Sequence, residues 1–171
     1  MIRVDKKDLE YMMEPIVNEC LRKHEGGESY FNELDKMIKD NETLLVLFLL
    51  YAVRNSGIYN VILSGGIGLR YMQLQLQNKI PNYINLMVVN GGLRKDNEIT
   101  GGIMSGCEVI PENLYGASII FIDDSFYSGK TANKIEDFLR SRKSSLFKTY
   151  VFYDGCKDKY VDVESLYRYY D

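Results

Sequence analysis

Several residue types that carry chemistry in other proteins are scarce in this chain. Its 171 residues include no tryptophan, one histidine and three cysteines. The cysteines are Cys20, Cys107 and Cys156, and because they are widely spaced and form no CxxC pattern, we expect reduced thiols and no metal site built from them. The histidine, His24, lies in a turn-like stretch and is expected to be solvated.

Strong positive charge and long apolar runs are also missing. The formal net charge is −3, so we expect no general attraction to nucleic acid or to an acidic membrane surface. The longest apolar run, Leu44 to Val53, is about half as long as a membrane span requires and is better interpreted as a buried helix. Because the first residues lack the apolar core of a secretion signal, we expect a cytoplasmic protein.

The composition is that of one compact domain. Hydrophobic residues make up 46% of the chain and charged residues 26%, which is enough to build a full core. The sequence divides into a helical part at about 1–55, a sheet core at about 56–155 and a C-terminal segment at about 156–171. We find no internal repeat.

The spacing of apolar residues predicts three helices in the first part. The opening helix contains Pro15, which indicates a kink or a fresh helix start at that point. A turn at 24–29 separates it from a second helix that carries Tyr30 and Phe31 on its apolar side. The third helix is expected over Glu42 to Asn55 and is nearly all apolar.

Beyond that point, strands alternate with helices. The predicted strands are Tyr59–Ser64, Tyr83–Val89, Ala117–Asp123 and Lys148–Asp154, with a helix from about Leu69 to Lys79 and another after residue 129. This order predicts an α/β fold of the Rossmann-like kind, with a mainly parallel, twisted sheet flanked by helices. Ligands of such sheets bind at the carboxyl ends of the strands.

The stretch IIFIDDSFYSGKT, Ile119 to Thr131, concentrates polar chemistry at one strand end. Asp123 and Asp124 need water, a cation or hydroxyl donors, and on a strand they point to opposite faces. Ser128, Gly129 and Thr131 follow at a helix start, where free N–H groups favour a phosphate. A sugar phosphate suits this combination, with its phosphate on the loop and its hydroxyls on the carboxylates.

The same stretch also fits a simple capped turn or a nucleotide-binding P-loop. In the first case the aspartates cap the following turn while Thr131 acts as an ordinary helix N-cap. In the second case SGKT ends the P-loop, but the first glycine of that motif would fall at Asp124, where a carboxylate repels phosphates.

The stretch Ile119 to Thr131 resembles the phosphoribosyl-diphosphate (PRPP) signature of the type I phosphoribosyltransferases. The order of apolar strand, two acids and hydroxyl-bearing glycine loop is shared, and Ser125 and Tyr127 are the two departures. SGGIG, Ser64 to Gly68, stands where that family has its pyrophosphate loop. The glycine-rich segment Asn90–Gly106 is expected to form a mobile flap, and LRKDNEITGG within it, Leu93 to Gly102, stands where the family has its catalytic flap. The resemblance implies transfer of phosphoribosyl from PRPP to a nitrogenous base or a similar small nucleophile, with release of diphosphate.

The resemblance also implies roles for particular residues. Asp123 and Asp124 would face the ribose hydroxyls, directly or through hydrated Mg²⁺ that is held mainly by PRPP, and Arg94 and Lys95 of the flap would close over the diphosphate. The residues implied in binding the phosphate and the diphosphate are Ser64, Gly65, Gly66, Ser125, Phe126, Tyr127, Ser128, Gly129, Lys130 and Thr131.

In this family the acceptor is bound by a small hood built from segments outside the core sheet. The N-terminal helices and the C-terminal segment are the candidates for this hood here. The C-terminal segment carries several tyrosines, which could stack on a base but could equally cover the sheet edge or form a dimer contact. A homodimer is possible. The alternative function is a PRPP- or nucleotide-binding regulator on the same fold that carries out no transfer.

Overall fold

The computed structural model describes residues 3–24, 27–89, 115–126, 129–155 and 162–169. The described part contains five helices and five strands. In chain order they are α1 (Lys6–Lys23), α2 (Gly27–Asp40), α3 (Glu42–Ser56), β1 (Asn60–Ser64), α4 (Gly65–Leu76), β2 (Asn85–Val89), β3 (Ser118–Phe126), α5 (Lys130–Ser141), β4 (Ser145–Asp154) and β5 (Val163–Arg168).

The five strands form one sheet in the order β2-β1-β3-β4-β5, and every neighbouring pair is parallel. The predicted parallel sheet flanked by helices is therefore confirmed. Strand order reverses between β1 and β3, which are paired at Leu63 and Ile122. A crevice opens at the carboxyl ends of two strands that diverge in this way, and ligands bind there in open α/β sheets.

The two halves of the sheet show why helices cover both faces. The connection from β1 to β2 runs one way from the centre and the connection from β3 to β4 runs the other way. Because strand–helix–strand crossovers are right-handed, α4 and α5 lie on opposite faces. In one buried hydrophobic cluster, the four helices α1, α2, α3 and α4 pack against one face of the sheet. In a second cluster, α5 packs against the other face.

The first three helices are shaped by their ends and by burial. Asp5 caps α1 by accepting a hydrogen bond from the Lys7 N–H, and Asn41 caps α3 in the same way for Leu44. The helix α1 runs through Pro15, so of the two alternatives given above, a kink or a fresh helix start, the fresh start is wrong. Buried residues on both sides of Pro15, from Leu9 to Cys20, hold the helix in place. Among the described residues, no helix is long and apolar enough to cross a membrane.

Several element boundaries differ from those expected. The strand β3 continues to Phe126, three residues beyond the predicted end, because its ladder with β4 extends to the Phe126–Asp154 pair. The helix α4 starts at Gly65 and not near Leu69. Part of the C-terminal segment forms the edge strand β5. The expected flap at 90–106 lies outside the described residues.

Candidate functional site

A pocket of about 340 Å³ lies at the carboxyl end of β3. Its walls come from the end of β3, the first turn of α5, the end of β4 and one side of α2. The lining residues are Glu28, Phe31, Asp35, Phe121, Asp123, Asp124, Ser125, Phe126, Gly129, Lys130, Thr131, Ala132 and Tyr153. The predicted phosphate-loop residues within the described part all line this cavity, whereas Ser64, Gly65 and Gly66, predicted to bind the diphosphate, do not.

Asp123 is the most deeply buried acid of the pocket, with 8% of its surface exposed. Its Oδ1 accepts a hydrogen bond of 2.8 Å from the backbone N–H of Asp124. Loss of hydration by burial, followed by the negative charge of Asp124, raises the pKa of Asp123 well above its ordinary value. Hydrogen bonds from the Asp124 backbone N–H and the Ser64 hydroxyl offset this only partly. The carboxylate form of Asp123 is therefore poorly stabilised by the protein itself.

Asp124 is half-buried and lines the same pocket. Its Oδ1 accepts a hydrogen bond of 3.1 Å from the Ser125 hydroxyl. Although successive side chains of a strand point to opposite faces, both aspartates reach the cavity because it opens across the end of the strand. These hydrogen bonds lie within β3 and not in a turn, and both aspartates line the pocket.

Two helices, α4 and α5, begin at this edge of the sheet, and their N-termini differ from those of α1 and α3. Ser64 precedes α4 and makes no side-chain capping bond, and its hydroxyl interacts instead with Asp123. Gly129 precedes α5 and has no side chain with which to cap. By contrast, α1 and α3 are capped by side chains. The first backbone N–H groups of α4 and α5 therefore receive no hydrogen bond from an N-cap side chain. Helix N-termini that bind anions have the same arrangement.

Gly129 is required by the backbone at the start of α5. Its φ of +76° is in the left-handed region, and a Cβ atom added there would lie 3.0 Å from Cζ of Phe126. Because Gly129 is the N-cap residue, Thr131 lies inside the first turn of α5. The alternative in which Thr131 is the N-cap is therefore wrong.

The P-loop alternative also fails on local structure. Asp124 stands at the position of its first glycine, and the structure places this residue within β3, not in a loop. A carboxylate facing the cavity from this position would repel a triphosphate.

Sequence reasoning missed a cation beside the second glycine turn. Gly66 lies in the first turn of α4, and a Cβ atom added to it would lie 3.1 Å from Nζ of Lys39 in α2. Lys39 makes no ion pair with any residue that the structure describes. Gly65, directly before Gly66, has a φ of +59°. No pattern in the sequence connects Lys39 with this turn, since α2 and α4 are separated by a whole helix.

The Arg70 side chain, also on α4, is bound by other groups of the protein. Its Nε donates to the Lys39 carbonyl at 3.2 Å and its Nη1 donates to Oε1 of Gln73 at 2.6 Å. Its Nη2 also lies 3.7 Å from the Glu42 carboxylate. Arg70 therefore fixes α2 and α3 against α4.

The helix α2 supplies a wall that sequence reasoning did not assign to the site. Phe31 and Tyr153 stack with ring centroids 6.0 Å apart and an interplanar angle of 16°. The Tyr153 hydroxyl donates a hydrogen bond of 2.5 Å to Oδ1 of Asp35. The apolar spacing of α2 predicted that Phe31 would pack, but it did not reveal that this side of the helix borders a cavity.

Four residues expected in the site lie outside the described residues. They are Arg94 and Lys95 of the expected flap, and Tyr127 and Ser128 of the expected phosphate loop. Their roles remain predictions.

The chain was compared with known proteins by sequence and by structure. No model of a known protein family matches it. Hypoxanthine-guanine phosphoribosyltransferase from Streptococcus thermophilus is 33% identical over 76 residues, a region that covers 42% of this chain and 42% of that protein. The match thus covers less than half of either protein.

Solved structures of the same architecture are also similar. Adenine phosphoribosyltransferase from Thermoanaerobacter pseudethanolicus has a TM-score of 0.50 and 11% identity, covering 77% of this chain and 84% of that one. Orotate phosphoribosyltransferase from Aeropyrum pernix has a TM-score of 0.48 and 14% identity, covering 76% of this chain and 72% of that one. The first of these likenesses shows a common fold, and the partial sequence match supports a relation to the phosphoribosyltransferases.

Proposed function

We propose that this protein is a phosphoribosyltransferase that uses PRPP and Mg²⁺. One observation carries the proposal: paired carboxylates, Asp123 and Asp124, share a pocket with the uncapped start of α5. The pocket lies at the carboxyl end of β3, one of the two strands between which the strand order of the sheet reverses. The pocket therefore offers acceptors for sugar hydroxyls next to donors for a phosphate.

The described residues suit one orientation of PRPP. The N–H groups at Gly129, Lys130 and Thr131 would bind the 5′-phosphate, and the Lys130 ammonium adds positive charge there. The ribose hydroxyls would donate to Asp123 and Asp124. Charge that develops on the ribose ring during the transfer would be stabilised by the same two carboxylates.

The diphosphate would lie toward the second helix start. Ser64, Gly65 and Gly66 lead into the uncapped first turn of α4, and Lys39 lies beside it. Backbone N–H groups at a helix start, together with a nearby ammonium, form a site for an anion. Arg94 and Lys95 are proposed to close over the same group.

The donor set fits Mg²⁺. This ion prefers oxygen ligands and retains water, and the described part contains no group of three side chains that could hold a metal without help from a substrate. Asp123 and Asp124 would hold it, partly through water, because a nearby cation stabilises the ionised form of a buried carboxyl. When bound, the ion neutralises part of the charge of the diphosphate.

The proposed reaction is a substitution at the anomeric carbon. A lone pair on the acceptor nitrogen forms the new bond to that carbon. The bond from the carbon to the diphosphate oxygen breaks, and its electron pair leaves with diphosphate. The proton of the acceptor nitrogen is released to solvent.

The direct test is to incubate the full chain with PRPP, Mg²⁺ and a panel of nitrogenous bases and to measure diphosphate release. Base-dependent release supports the proposal. Calorimetric binding of PRPP without release on any base would assign the pocket to the alternative, a regulator that binds PRPP. Binding of ATP in place of PRPP would overturn the proposed transferase and leave a nucleotide-binding regulator on the same fold.

Lys39 allows a second test of the proposed diphosphate site. Replacement of Lys39 by Gln removes the ammonium beside Gly66, so we expect the Kd for PRPP to rise by about tenfold, as for loss of one charge-assisted contact. Lys36 is exposed on the same helix, and Lys36→Gln is the matched control. Equal effects of the two changes would mean that Lys39 acts only through the general field of α2.

A further inference from the structure

Ser64 and Asp123 lie side by side near the carboxyl ends of two neighbouring strands. The strands β1 and β3 are paired at Leu63 and Ile122, so the next residue of each strand, Ser64 and Asp123, occupy the same level of the sheet. Leu63 and Ile122 both belong to the buried cluster of α1 to α4. Because successive side chains of a strand alternate between its faces, Ser64 and Asp123 both point to the face on which α5 packs.

The two side chains are buried and joined to each other. Ser64 is 7% exposed and Asp123 is 8% exposed. The Ser64 hydroxyl donates a hydrogen bond to the Asp123 carboxylate, and the backbone N–H of Asp124 donates a second one to Oδ1 of the same group. Donors from two different strands therefore hold one carboxylate, which limits its rotation.

This hydrogen bond also accounts for the missing cap of α4. Serine is a preferred N-cap residue because its oxygen can accept from the first N–H groups of a helix. The backbone of Ser64 is extended, with φ −122° and ψ 153°, as in an ordinary N-cap residue, yet its side chain makes no capping bond. The direction of the hydroxyl toward Asp123, and not the backbone, thus leaves α4 without that cap.

We propose that Ser64 is a positioning residue, whose hydroxyl holds the Asp123 carboxylate in the orientation that meets the ribose, and that this hydroxyl is not a ligand of the diphosphate. The inference rests on the proposed function, because it assigns the role of one side chain in PRPP binding. Partners that orient a ligating carboxylate typically contribute about 10- to 100-fold in affinity or activity. Ser64 would thus act on the ribose through its side chain, while the N–H groups after it remain for the diphosphate.

Two fragments of PRPP test which half of the ligand Ser64 acts on. Ribose 5-phosphate carries the hydroxyls that would meet Asp123, whereas inorganic diphosphate carries the group that would meet the start of α4. In buffer with a chelator and no Mg²⁺, we expect Ser64→Ala to raise the Kd for ribose 5-phosphate about tenfold and to change the Kd for diphosphate by less than about twofold. Isothermal titration calorimetry measures both values. The reverse pattern would mean that the hydroxyl binds diphosphate, and the inference would be wrong.

Ser165 provides the matched control. It lies in β5, is 7% exposed like Ser64, and its hydroxyl has no hydrogen-bond partner within the described part of the chain. Ser165→Ala therefore removes the same atom at the same degree of burial without breaking a hydrogen bond. Both Kd values should stay at those of the wild type, which separates loss of the Ser64 hydrogen bond from the general effect of removing a buried hydroxyl.

A double-mutant cycle tests whether Ser64 acts through Asp123. We expect Asp123→Asn alone to weaken the binding of ribose 5-phosphate. When Ser64→Ala is added to Asp123→Asn, the further rise in Kd should be less than about twofold, because the ionised carboxylate that Ser64 orients is already gone. An equal effect of Ser64→Ala in both backgrounds would show that Ser64 acts independently of Asp123, and the inference would be overturned.

The remaining outcomes separate this inference from the proposed function. If the wild type binds PRPP but not ribose 5-phosphate, or if Ser64→Ala weakens both fragments alike, the positioning role is excluded and the PRPP site stands. If the wild type binds neither PRPP nor ribose 5-phosphate, the proposed function falls and the inference falls with it.

Discussion

Two largely buried carboxylates on the same sheet have opposite surroundings. Glu164, near the amino end of β5, accepts a hydrogen bond from the Tyr51 hydroxyl and lies 2.9 Å from the Lys148 ammonium and 3.4 Å from that of Lys6. Asp123, toward the carboxyl end of β3, has Asp124 as its neighbour and no ion pair with any residue in the described ranges.

The pKa values of the two groups diverge accordingly. Burial works against ionisation of Glu164, yet the Tyr51 hydrogen bond and the Lys148 charge hold its pKa below the ordinary value. Burial and the charge of Asp124 raise the pKa of Asp123. The charge near the amino end is compensated by the protein, whereas the charge at the carboxyl end forms no ion pair with the described residues, a condition that is common at functional sites.

The largest expected effect comes from removing charge at the carboxyl end. Asp124→Asn should lower kcat/KM for the proposed phosphoribosyl transfer by about 100-fold, the usual cost of losing one electrostatic group that stabilises a transition state. The fold should survive, because Asp124 is half-buried and an amide oxygen can still accept from Ser125. Kinetics and the midpoint of thermal unfolding measure the two effects.

Asp137 of α5 has a side chain that is 79% exposed and does not line the pocket, so Asp137→Asn is the control. This variant should retain both the rate and the melting temperature of the wild type. If Asp124→Asn fails to fold while this control folds, the acid is structural and the contrast between the two ends of the sheet disappears.

The next effect is on stability at the amino end. Glu164→Gln leaves the ammonium groups of Lys148 and Lys6 without their carboxylate, so we expect the free energy of unfolding to fall by about 2 kcal/mol and the melting temperature by roughly 6 °C. PRPP affinity should not change, because Glu164 is not among the residues that line the pocket. Thermal unfolding and calorimetric titration with PRPP measure the two quantities.

The pH dependence of that loss has a definite sign. Because the folded-state pKa of Glu164 is lowered, its contribution is present above its ordinary value of about 4.5 and is lost as the pH falls through the folded-state value. The wild type and Glu164→Gln should therefore converge in strong acid. Glu136 pairs with Arg140 on the exposed side of α5, and Glu136→Gln should cost less than about 0.5 kcal/mol.

The smallest effect has the opposite sign. Asp123→Asn removes a buried charge next to Asp124 and should raise the free energy of unfolding by about 1 kcal/mol and the melting temperature by roughly 3 °C, while weakening PRPP binding. Gains in stability with loss of function are expected where a site holds uncompensated charge. A decrease in stability would mean that the hydrogen bonds of the Asp123 carboxylate outweigh the cost of burying it.

The sign of the pH dependence is reversed for Asp123. Because its folded-state pKa is raised above the ordinary 3.8, its stabilising contribution is complete below that value and is lost as the pH rises through the folded-state value. The advantage of Asp123→Asn should therefore be present at neutral pH and vanish in acid below about 4. Unfolding curves recorded across this range test the reversal.

The sequence contains the parts of the site that are local. The apolar strand, the two acids and the glycine turn lie within 13 consecutive residues, so their common position at the end of β3 follows from strand geometry alone. The parallel sheet follows from alternating strands and helices for the same reason. Both are short-range patterns that no tertiary contact has to reveal.

The remaining parts depend on contacts between distant segments. Asp35 meets Tyr153 across 118 positions of the chain, and Lys39 reaches Gly66 from a different helix. The end of β3 at Phe126 was also missed, because the polar residues after Asp123 suggest a turn and only pairing with β4 extends the strand. Helical periodicity identifies which side of α2 packs, but not what that side borders.

The hydrogen bond between Tyr51 and Glu164 joins residues that are 113 positions apart, and its consequence concerns the order of folding. Parallel strands pair only through long connections, so much chain entropy is lost before such contacts form. The apolar residues of α1 and α3 that pack against β5 and β4 therefore stay uncovered in the nascent chain until these strands have been synthesised. We expect folding slower than that of a helical bundle of equal length, with a period during which the protein is prone to aggregate and depends on chaperones.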